Sequence, residues 1–316
     1  MSNSNSKKSP IIVITGCTGV GKTNVSLELA DMLGNAEIVS CDSMAVYREM
    51  NIGTSKPSKE VRNKIPHHLV DVVSIKEDFD VAKYVAMAEI AISEIVKKDN
   101  IPIIVGGSVM YLYSLLDGIF KGPGKNSELR GVLTEKARIN GVGSLHKELE
   151  KIDPHTAVRI HSNDLQRIIR AIEVYYQTGN KISELKKQKK GICLKYNTIS
   201  YGITSNRGKI YNQIDSRVDE MIKQGLVDEV KNIWNKGMSL TAYQGQGYKE
   251  IIGYLEGKYD FNEAIRLTKR NTRRYAKRQI SWLKRDKRVN WINIDKFDSM
   301  KSTAEFIFQN FKTVKK

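Results

Sequence analysis

Residues 11–23, IIVITGCTGVGKT, decide the fold. The run Ile11, Ile12, Val13, Ile14 is short, apolar and β-branched, as a strand buried on both faces is. A glycine-rich turn follows, and its last eight residues, GCTGVGKT, fit the phosphate-loop pattern GxxxxGK[ST]. Glycines let backbone N–H groups converge on phosphate oxygens, and the start of the following helix adds a favourable dipole. Lys22 supplies a point charge for the terminal phosphates, and the Thr23 hydroxyl suits Mg²⁺. The pattern predicts that Gly16, Cys17, Thr18, Gly19, Val20, Gly21, Lys22 and Thr23 hold phosphate groups, with Mg²⁺ as cofactor and Thr23 as its protein ligand. A helix is predicted over 24–33, with Val25, Leu29 and Met32 at helical spacing and Gly34 as its stop.

Outward from this loop the pattern stays α/β. Residues 37–40 and 101–105 read as short buried strands, the second ending in Gly106-Gly107. Asp80 is a good N-cap for a helix through Lys98, with Phe79 and Tyr84 placed as a hydrophobic staple. Strands alternating with helices predict a P-loop NTPase-like parallel sheet flanked by helices, with ligands at the strands' carboxyl ends. Residues 121–125, KGPGK, read as a linker. From 127 to 179 the pattern is helical, with Asp153-Pro154 as a helix start, and 181–190 is a basic run. Residues 125–200 therefore read as an inserted all-helical subdomain. A strand over 197–203 and helices over 211–224, 226–236 and 261–284 follow, with Gly225 and Gly237 as stops. The expected division is a disordered tail over 1–10, core over 11–124 and 201–316, and the insertion between. No internal repeat is present.

Composition narrows the class. The chain has 316 residues, 40% hydrophobic and 28% charged, enough to bury a substantial core. No apolar run approaches the roughly 20 residues that a membrane span needs. The opening MSNSNSKKSP lacks the features of a signal peptide or an Arg-rich presequence, so the cytoplasm is the expected compartment. Three cysteines without a CxxC pair exclude a disulfide scaffold. Fifty-two Lys and Arg against 35 Asp and Glu give +17, which points to a polyanionic partner, nucleic acid first and an anionic membrane surface second. His67, His68, His146, His155 and His161 read as structural or surface residues, not as a metal site.

The phosphate loop does not name the reaction. There is no NKxD motif for reading guanine, and the strand over 101–105 ends in Gly-Gly-Ser, not in an acid. Small-molecule kinases and other diphosphate chemistry remain. Asp42 ends the strand at 37–40, where a carboxylate can accept a proton from a nucleophile; a capping Asp in a turn fits the local pattern equally well. In the helix over 261–284, Arg266, Lys269, Arg270, Arg273, Arg274, Lys277 and Arg278 cluster, while Ile265, Thr268, Thr272, Ala276, Ile280 and Leu283 recur at core spacing. Such a basic face is either merely solvated or a nucleic-acid backbone contact, and the lack of interleaved Glu favours the second. Cys17 and Cys41 flank the same region if their strands are neighbours; they are then either alkylation-sensitive thiols protected by diphosphate or two inert buried ones.

Several segments together resemble the tRNA dimethylallyltransferases, also called tRNA isopentenyltransferases: GCTGVGKT (16–23), SCDSMAVYREMNIGTSKP (40–57), PHHLVD (66–71), VGGSVMY (105–111), RIHSNDLQRIIRAIEVY (159–175), GYKEIIGYLEG (247–257) and RNTRRYAKRQISWLK (270–284). They run in family order over most of the chain. The resemblance implies transfer of a dimethylallyl group from dimethylallyl diphosphate to N6 of adenosine 37, in tRNAs that read codons beginning with U. It makes Asp42 the base and puts Ser108 where the family usually has a Thr at the reacting site. It also makes the loop Gly16 to Thr23 the holder of the leaving diphosphate and Arg217 a further diphosphate contact, a residue that otherwise reads as the surface of an amphipathic helix. It assigns tRNA contact to Asp42, Ser43, Met44, Ala45, Ser108 and Arg130. The same holds for Gln166, Arg167, Ile168, Ile169 and Arg170; for Gln244, Gly245, Gln246, Gly247, Tyr248 and Lys249; and for Lys277, Arg278, Gln279, Ile280, Ser281, Trp282, Leu283 and Lys284. The implied partner is the tRNA anticodon stem-loop, with the insertion clamping it, no membrane, and a monomeric enzyme. The chain departs from the family pattern at Cys17, usually Pro; at Gln244 and Lys249, where arginines are commoner; and over 122–126, usually Pro-rich and acidic. The competing readings are a small-metabolite kinase, disfavoured by the basic helix and the insertion, and a non-catalytic RNA-binding protein, disfavoured by intact Lys22, Thr23 and Asp42.

Overall fold

The computed structural model describes residues 8–120 and 122–315. The chain forms two units. One is α/β and combines the residues up to Leu116 with those from Ile192 onward; the other is helical and runs from Asp117 to Gly191.

The α/β unit is built on a six-stranded sheet. Its strands are β1 (Pro10–Gly16), β2 (Ala36–Ser40), β3 (His67–His68), β4 (Ile101–Gly106), β5 (Asn197–Thr204) and β6 (Val289–Asn293). The spatial order is β3-β2-β4-β1-β5-β6 and every pair is parallel. Ile12, Ile14, Ile103 and Ile104 in the two central strands are fully enclosed. Helices cover both faces of a parallel sheet, so its central strands carry continuous apolar runs. The helix Lys22–Leu33 starts two residues before its predicted Asn24, which puts Lys22 and Thr23 in its first turn, and ends at left-handed Gly34. It packs against the C-terminal helix Met300–Lys315.

The helix Val81–Lys97 is capped as expected: the Asp80 carboxylate accepts from the N–H groups of Ala82 and Lys83, both at 2.9 Å. Phe79 and Tyr84 are buried, and Tyr111 lies against both rings, stacking on Tyr84 with centroids 4.5 Å apart. The sequence reading did not include β3, β6 or the helix Met300–Lys315. β6 is an edge strand in which only Ile292 is buried, so it carries no apolar run; pairing with β5 defines it. In β3, His68 bonds Glu37 at 2.7 Å and His67 bonds the Ile65 carbonyl at 2.6 Å.

The helical unit contains Ser127–Asn140, Val142–Ile152, Pro154–Ala157, Leu165–Thr178 and Ile182–Leu185. Its core includes Leu133, Leu145, Leu149, Ile168, Ile172 and Val174. Asp153 caps the helix Pro154–Ala157 through the Thr156 N–H at 3.1 Å and also accepts from the Ser183 N–H at 2.9 Å. The bounds differ from the expected 125–200. Asn197 pairs with Pro10 at the start of β5 and β1, so the residues from 192 to 200 belong to the α/β unit, and Pro10 belongs to the sheet and not to a tail. Residues 1–7 of the expected tail lie outside the described residues. No helix among the described residues is long and apolar enough to cross a membrane.

Candidate active site

The loops after β1, β2 and β4 meet at the carboxyl end of the sheet, where open α/β folds place ligands. The chain after β1 turns at Gly16, whose φ of +149° suits glycine and where a Cβ would stand 2.5 Å from the Ile203 carbonyl oxygen. Lys22 returns over the loop and donates to the Cys17 carbonyl at 2.7 Å. Burial pulls its ammonium pKa down to about 8; Asp42 opposes the shift and Arg217 adds to it. A half-buried cation with no carboxylate bonded to it among the described residues favours the arrival of an anion.

Asp42 follows β2. Its Oδ1 accepts from the N–H groups of Met44 at 2.8 Å and Ala45 at 3.2 Å. The turn-capping role is therefore real, and it occupies only one of the two oxygens. Asp42 also lines two adjoining cavities. The first, about 440 Å³, is bounded by Lys22, Thr23, Gly107 and the Lys56 segment. The second, about 240 Å³, is bounded by Met44, Ile214, Val218, Met221 and Tyr248. Thr18, Asp42, Thr54, Arg217 and Tyr275 line both. One cavity is thus rich in phosphate-binding groups, its neighbour is largely apolar, and a carboxylate stands at their junction.

Ser108, 8% exposed, accepts from the Ser43 N–H at 3.1 Å and ties the loop after β4 to the Asp42 turn. Arg217 reaches in from the helix Arg207–Lys223. Its Nε donates to the Ser55 hydroxyl at 3.0 Å, and its Nη1 lies 3.5 Å from the Thr18 hydroxyl. Burial disfavours the charged guanidinium, so this group also gains from an anion. The strands that lead into Cys17 and Cys41 are not neighbours, because β4 lies between β1 and β2. Both thiols are fully buried. Burial raises the pKa of Cys17, and that of Cys41 to about 12, so both stay as unreactive thiols.

Three residues absent from the sequence reading organise the site. Glu229 accepts from the N–H groups of Asn51 and Ile52, at 3.0 and 2.9 Å through Oε2, and from the Tyr248 hydroxyl at 2.6 Å, shaping the wall that carries Thr54. Tyr275 lies beside Asp42 and has its phenol pKa raised to about 12 by burial. Asp215 pairs with Arg273 at 2.5 Å. Local pattern gave no signal for any of them, since each acts on a distant part of the chain.

The residues assigned to RNA by resemblance fall into different environments. Ser43, Met44, Gln244 and Gln246 line the apolar cavity with Tyr248; Ala45, Gly245, Gly247 and Tyr248 are buried, and Lys249 is half-buried. On the helix Phe261–Leu283, Lys277, Arg278, Ser281 and Trp282 are exposed, as is Lys284 just beyond it, whereas Gln279 and Leu283 are buried and Ile280 packs on the core. The basic face is smaller than the sequence suggests. Arg266 pairs with Glu263, Lys269 with Asp219 and Arg273 with Asp215. The last two acids come from the neighbouring helix Arg207–Lys223, so the helix's own sequence does not show them. Arg274 and Lys277 are exposed and make no ion pair among the described residues.

In the helical unit Gln166 and Arg167 are exposed, but Ile168 and Ile169 point into the core. Arg130 holds fully buried Glu173 by two 2.8 Å bonds, and Arg170 adds a third at 2.6 Å. Burial alone would raise the Glu173 pKa; these bonds and the Asn126 N–H outweigh it and hold the carboxyl at about 2.

A family model described as IPP transferase matches residues 45–286. The chain is 45% identical over 308 residues to a tRNA dimethylallyltransferase of Alkaliphilus oremlandii, covering 96% of this chain and 98% of that one. It is 47% identical over 300 residues to the tRNA dimethylallyltransferase of Halothermothrix orenii, covering 94% and 91%. Among solved structures, the full-length tRNA isopentenylpyrophosphate transferase of Bacillus halodurans superposes with a TM-score of 0.70 at 35% identity, over 98% of this chain and 99% of that one. A eukaryotic dimethylallyltransferase solved acting on tRNA gives 0.80 at 28% identity, over 98% and 80%.

Proposed function

Since the chain belongs to the IPP transferase family, we propose that it transfers a dimethylallyl group from dimethylallyl diphosphate to N6 of adenosine 37 in tRNAs that read codons beginning with U. The products are N6-isopentenyladenosine and diphosphate. The observation that carries this reading is the pair of adjoining cavities with Asp42 at their junction.

The diphosphate lies against the phosphate loop, with Lys22 and Arg217 balancing its charge, and the dimethylallyl tail and the incoming adenine meet in the apolar neighbour. N6 attacks the allylic C1, the C1–O bond breaks toward diphosphate, and the N6 proton passes to Asp42. An exocyclic amine is a weak nucleophile, so a base at this junction speeds the step. Cations fixed around the leaving group stabilise the charge that develops there. Thr23, exposed at the rim of the phosphate-side cavity, is the side chain that would hold Mg²⁺. The described residues contain no cluster of three or more His, Cys, Asp or Glu able to hold a metal. That fits an ion such as Mg²⁺, which binds mainly through substrate phosphates and water. When bound, it adds charge neutralisation to the leaving diphosphate.

Adenosine 37 must leave its stack to reach Asp42, at a cost of a few kcal/mol that RNA contacts offset. Arg274, Lys277 and Arg278 on the α/β unit and Gln166 and Arg167 on the helical unit are exposed for those contacts. The reading is of a monomeric enzyme, and a tRNA substrate fits a cytoplasmic one.

The test incubates the protein with unmodified tRNA, Mg²⁺ and either dimethylallyl diphosphate or ATP, then analyses the digested RNA by mass spectrometry. Prenylated adenosine formed from the allylic diphosphate alone is the expected result. ATP consumed with a small metabolite, and no prenylated adenosine, would replace this reading with kinase chemistry.

A further inference from the structure

The geometry points to Gln279 as a positioning residue of the diphosphate cradle, acting through the Thr18 peptide and not through RNA. It lies within 277–284, the segment that resemblance assigns to tRNA, yet it is only 4% exposed. Lys277, Arg278 and Ser281 around it face solvent. A helix turns 100° per residue, so Gln279 shares the inward stripe with Tyr275 and Leu283 while its neighbours share the outward one.

The Gln279 amide is committed at both ends. Its Oε1 accepts from the Thr18 N–H at 2.9 Å, and its Nε2 donates to the Gly107 carbonyl at 2.7 Å. The backbone partners settle the amide's orientation, because an N–H can only donate and a carbonyl can only accept. Thr18 follows β1 and Gly107 follows β4, which are adjacent strands. Gln279 therefore joins the two loops that wall the phosphate-side cavity, and it lines that cavity itself. The approach is close enough that a Cβ on Gly107 would stand 2.5 Å from Nε2.

A neutral amide is the side chain this position requires. A carboxylate could still accept from Thr18, but it would face the Gly107 carbonyl with an acceptor and set a negative charge beside the diphosphate. A lysine would offer the Thr18 N–H no acceptor. The hold on Thr18 also sets its hydroxyl opposite the Arg217 guanidinium. One buried amide thus positions the glycine-rich loop and one side of the Arg217 contact. A loop rich in glycine carries little conformational preference of its own, so an external brace keeps its N–H groups aimed at the ligand.

This role rests on the diphosphate reading of the cavity. It is tested with the full chain, wild type, Gln279→Met and Gln279→Glu, by calorimetric titration with inorganic diphosphate plus Mg²⁺. A separate titration uses an unmodified anticodon stem-loop RNA, and steady-state kinetics and melting curves accompany both. Losing both amide bonds in Gln279→Met should weaken diphosphate binding and raise KM for dimethylallyl diphosphate by about 10- to 100-fold, while RNA affinity stays within about twofold. Gln279→Glu, of nearly the same size, should lose at least as much and carries the test if the Met variant does not fold. Weakened RNA binding with unchanged diphosphate binding would overturn the proposal in favour of direct RNA contact. A lowered melting temperature with unchanged diphosphate binding and KM would overturn it in favour of a purely structural role. Wild-type protein that binds no diphosphate would overturn it together with the reading on which it rests.

Discussion

Lys22 in the α/β unit is half-buried and Glu173 in the helical unit fully buried, and their surroundings push them in opposite directions. Glu173 meets Arg130, Arg170 and the Asn126 N–H, and its carboxyl is held ionised far below its ordinary range. Among the described residues Lys22 bonds the Cys17 carbonyl and no carboxylate, and burial draws its ammonium toward neutrality. A buried charge whose bonds are all made within the protein supports the fold. One left without a counter-ion costs free energy until a ligand supplies it. The same contrast separates Arg273, paired with Asp215, from exposed Arg274.

The sharpest break in this comparison would come at Asp42, whose Oδ1 alone takes the turn's N–H groups. Asp42→Asn should lower turnover by about 10²- to 10⁴-fold, the range for loss of a general base, with RNA affinity spared in a filter-binding assay. Near-normal turnover would leave Asp42 as only a turn cap. Lys22→Met should lower prenyl transfer by about 10²- to 10³-fold. The same change should not destabilise the protein at neutral pH, because a charge with a lowered pKa opposes folding below pH 8. A large drop in melting temperature would mean that Lys22 is structural after all.

Glu173 should behave in the reverse way. Glu173→Gln should cost about 3 kcal/mol, near the low end for a broken buried pair because its arginines are partly exposed, with the chemistry affected only through the fold. The carboxyl pKa is lowered from 4.5 to about 2. Its stabilisation is therefore complete above about pH 4.5 and is lost as pH falls toward 2. Chemical denaturation of wild type and variant across that window measures it; a difference that does not shrink on acidification would contradict the assignment.

Arg274→Ala with Lys277→Ala should flatten the salt dependence of tRNA binding by about 0.7–0.9 per lost phosphate contact in log K against log salt. Arg273→Ala alone should leave that slope unchanged, and equal slopes in both variants would erase the distinction between paired and unpaired cations. The smallest effect is protonic. Diphosphate binding near pH 8.5 should take up part of a proton in wild type beyond that in Lys22→Met, read by calorimetry in buffers of different ionisation heat.

The phosphate loop was legible because its chemistry is local: one strand, one glycine-rich turn and one helix start lie within residues 10–33. Asp42 was legible as a candidate, with its two roles undivided until the structure placed both on one side chain. Gln279 was not. Its segment is assigned to RNA as a block by resemblance, and neither composition nor spacing shows that Gln279 reaches Thr18. Arg130 and Arg170 are assigned to RNA by resemblance, and nothing in the chain around them indicates that both also pair with Glu173. The edge strand β6 was missed for the same reason, since its identity comes from β5 and not from its own residues.

The sequence alone determined the class of sheet, the phosphate loop, the helix starts at Asp80 and Asp153, and a positive charge suited to a polyanion. These follow from backbone conformation and periodicity, which neighbours along the chain control. Only the tertiary structure decided which cations are free and which are paired, that Cys17 and Cys41 are separate inert thiols, and that Gln279 braces the cradle. Those outcomes depend on which groups meet across the fold, where burial multiplies the value of each hydrogen bond and the cost of each missing one.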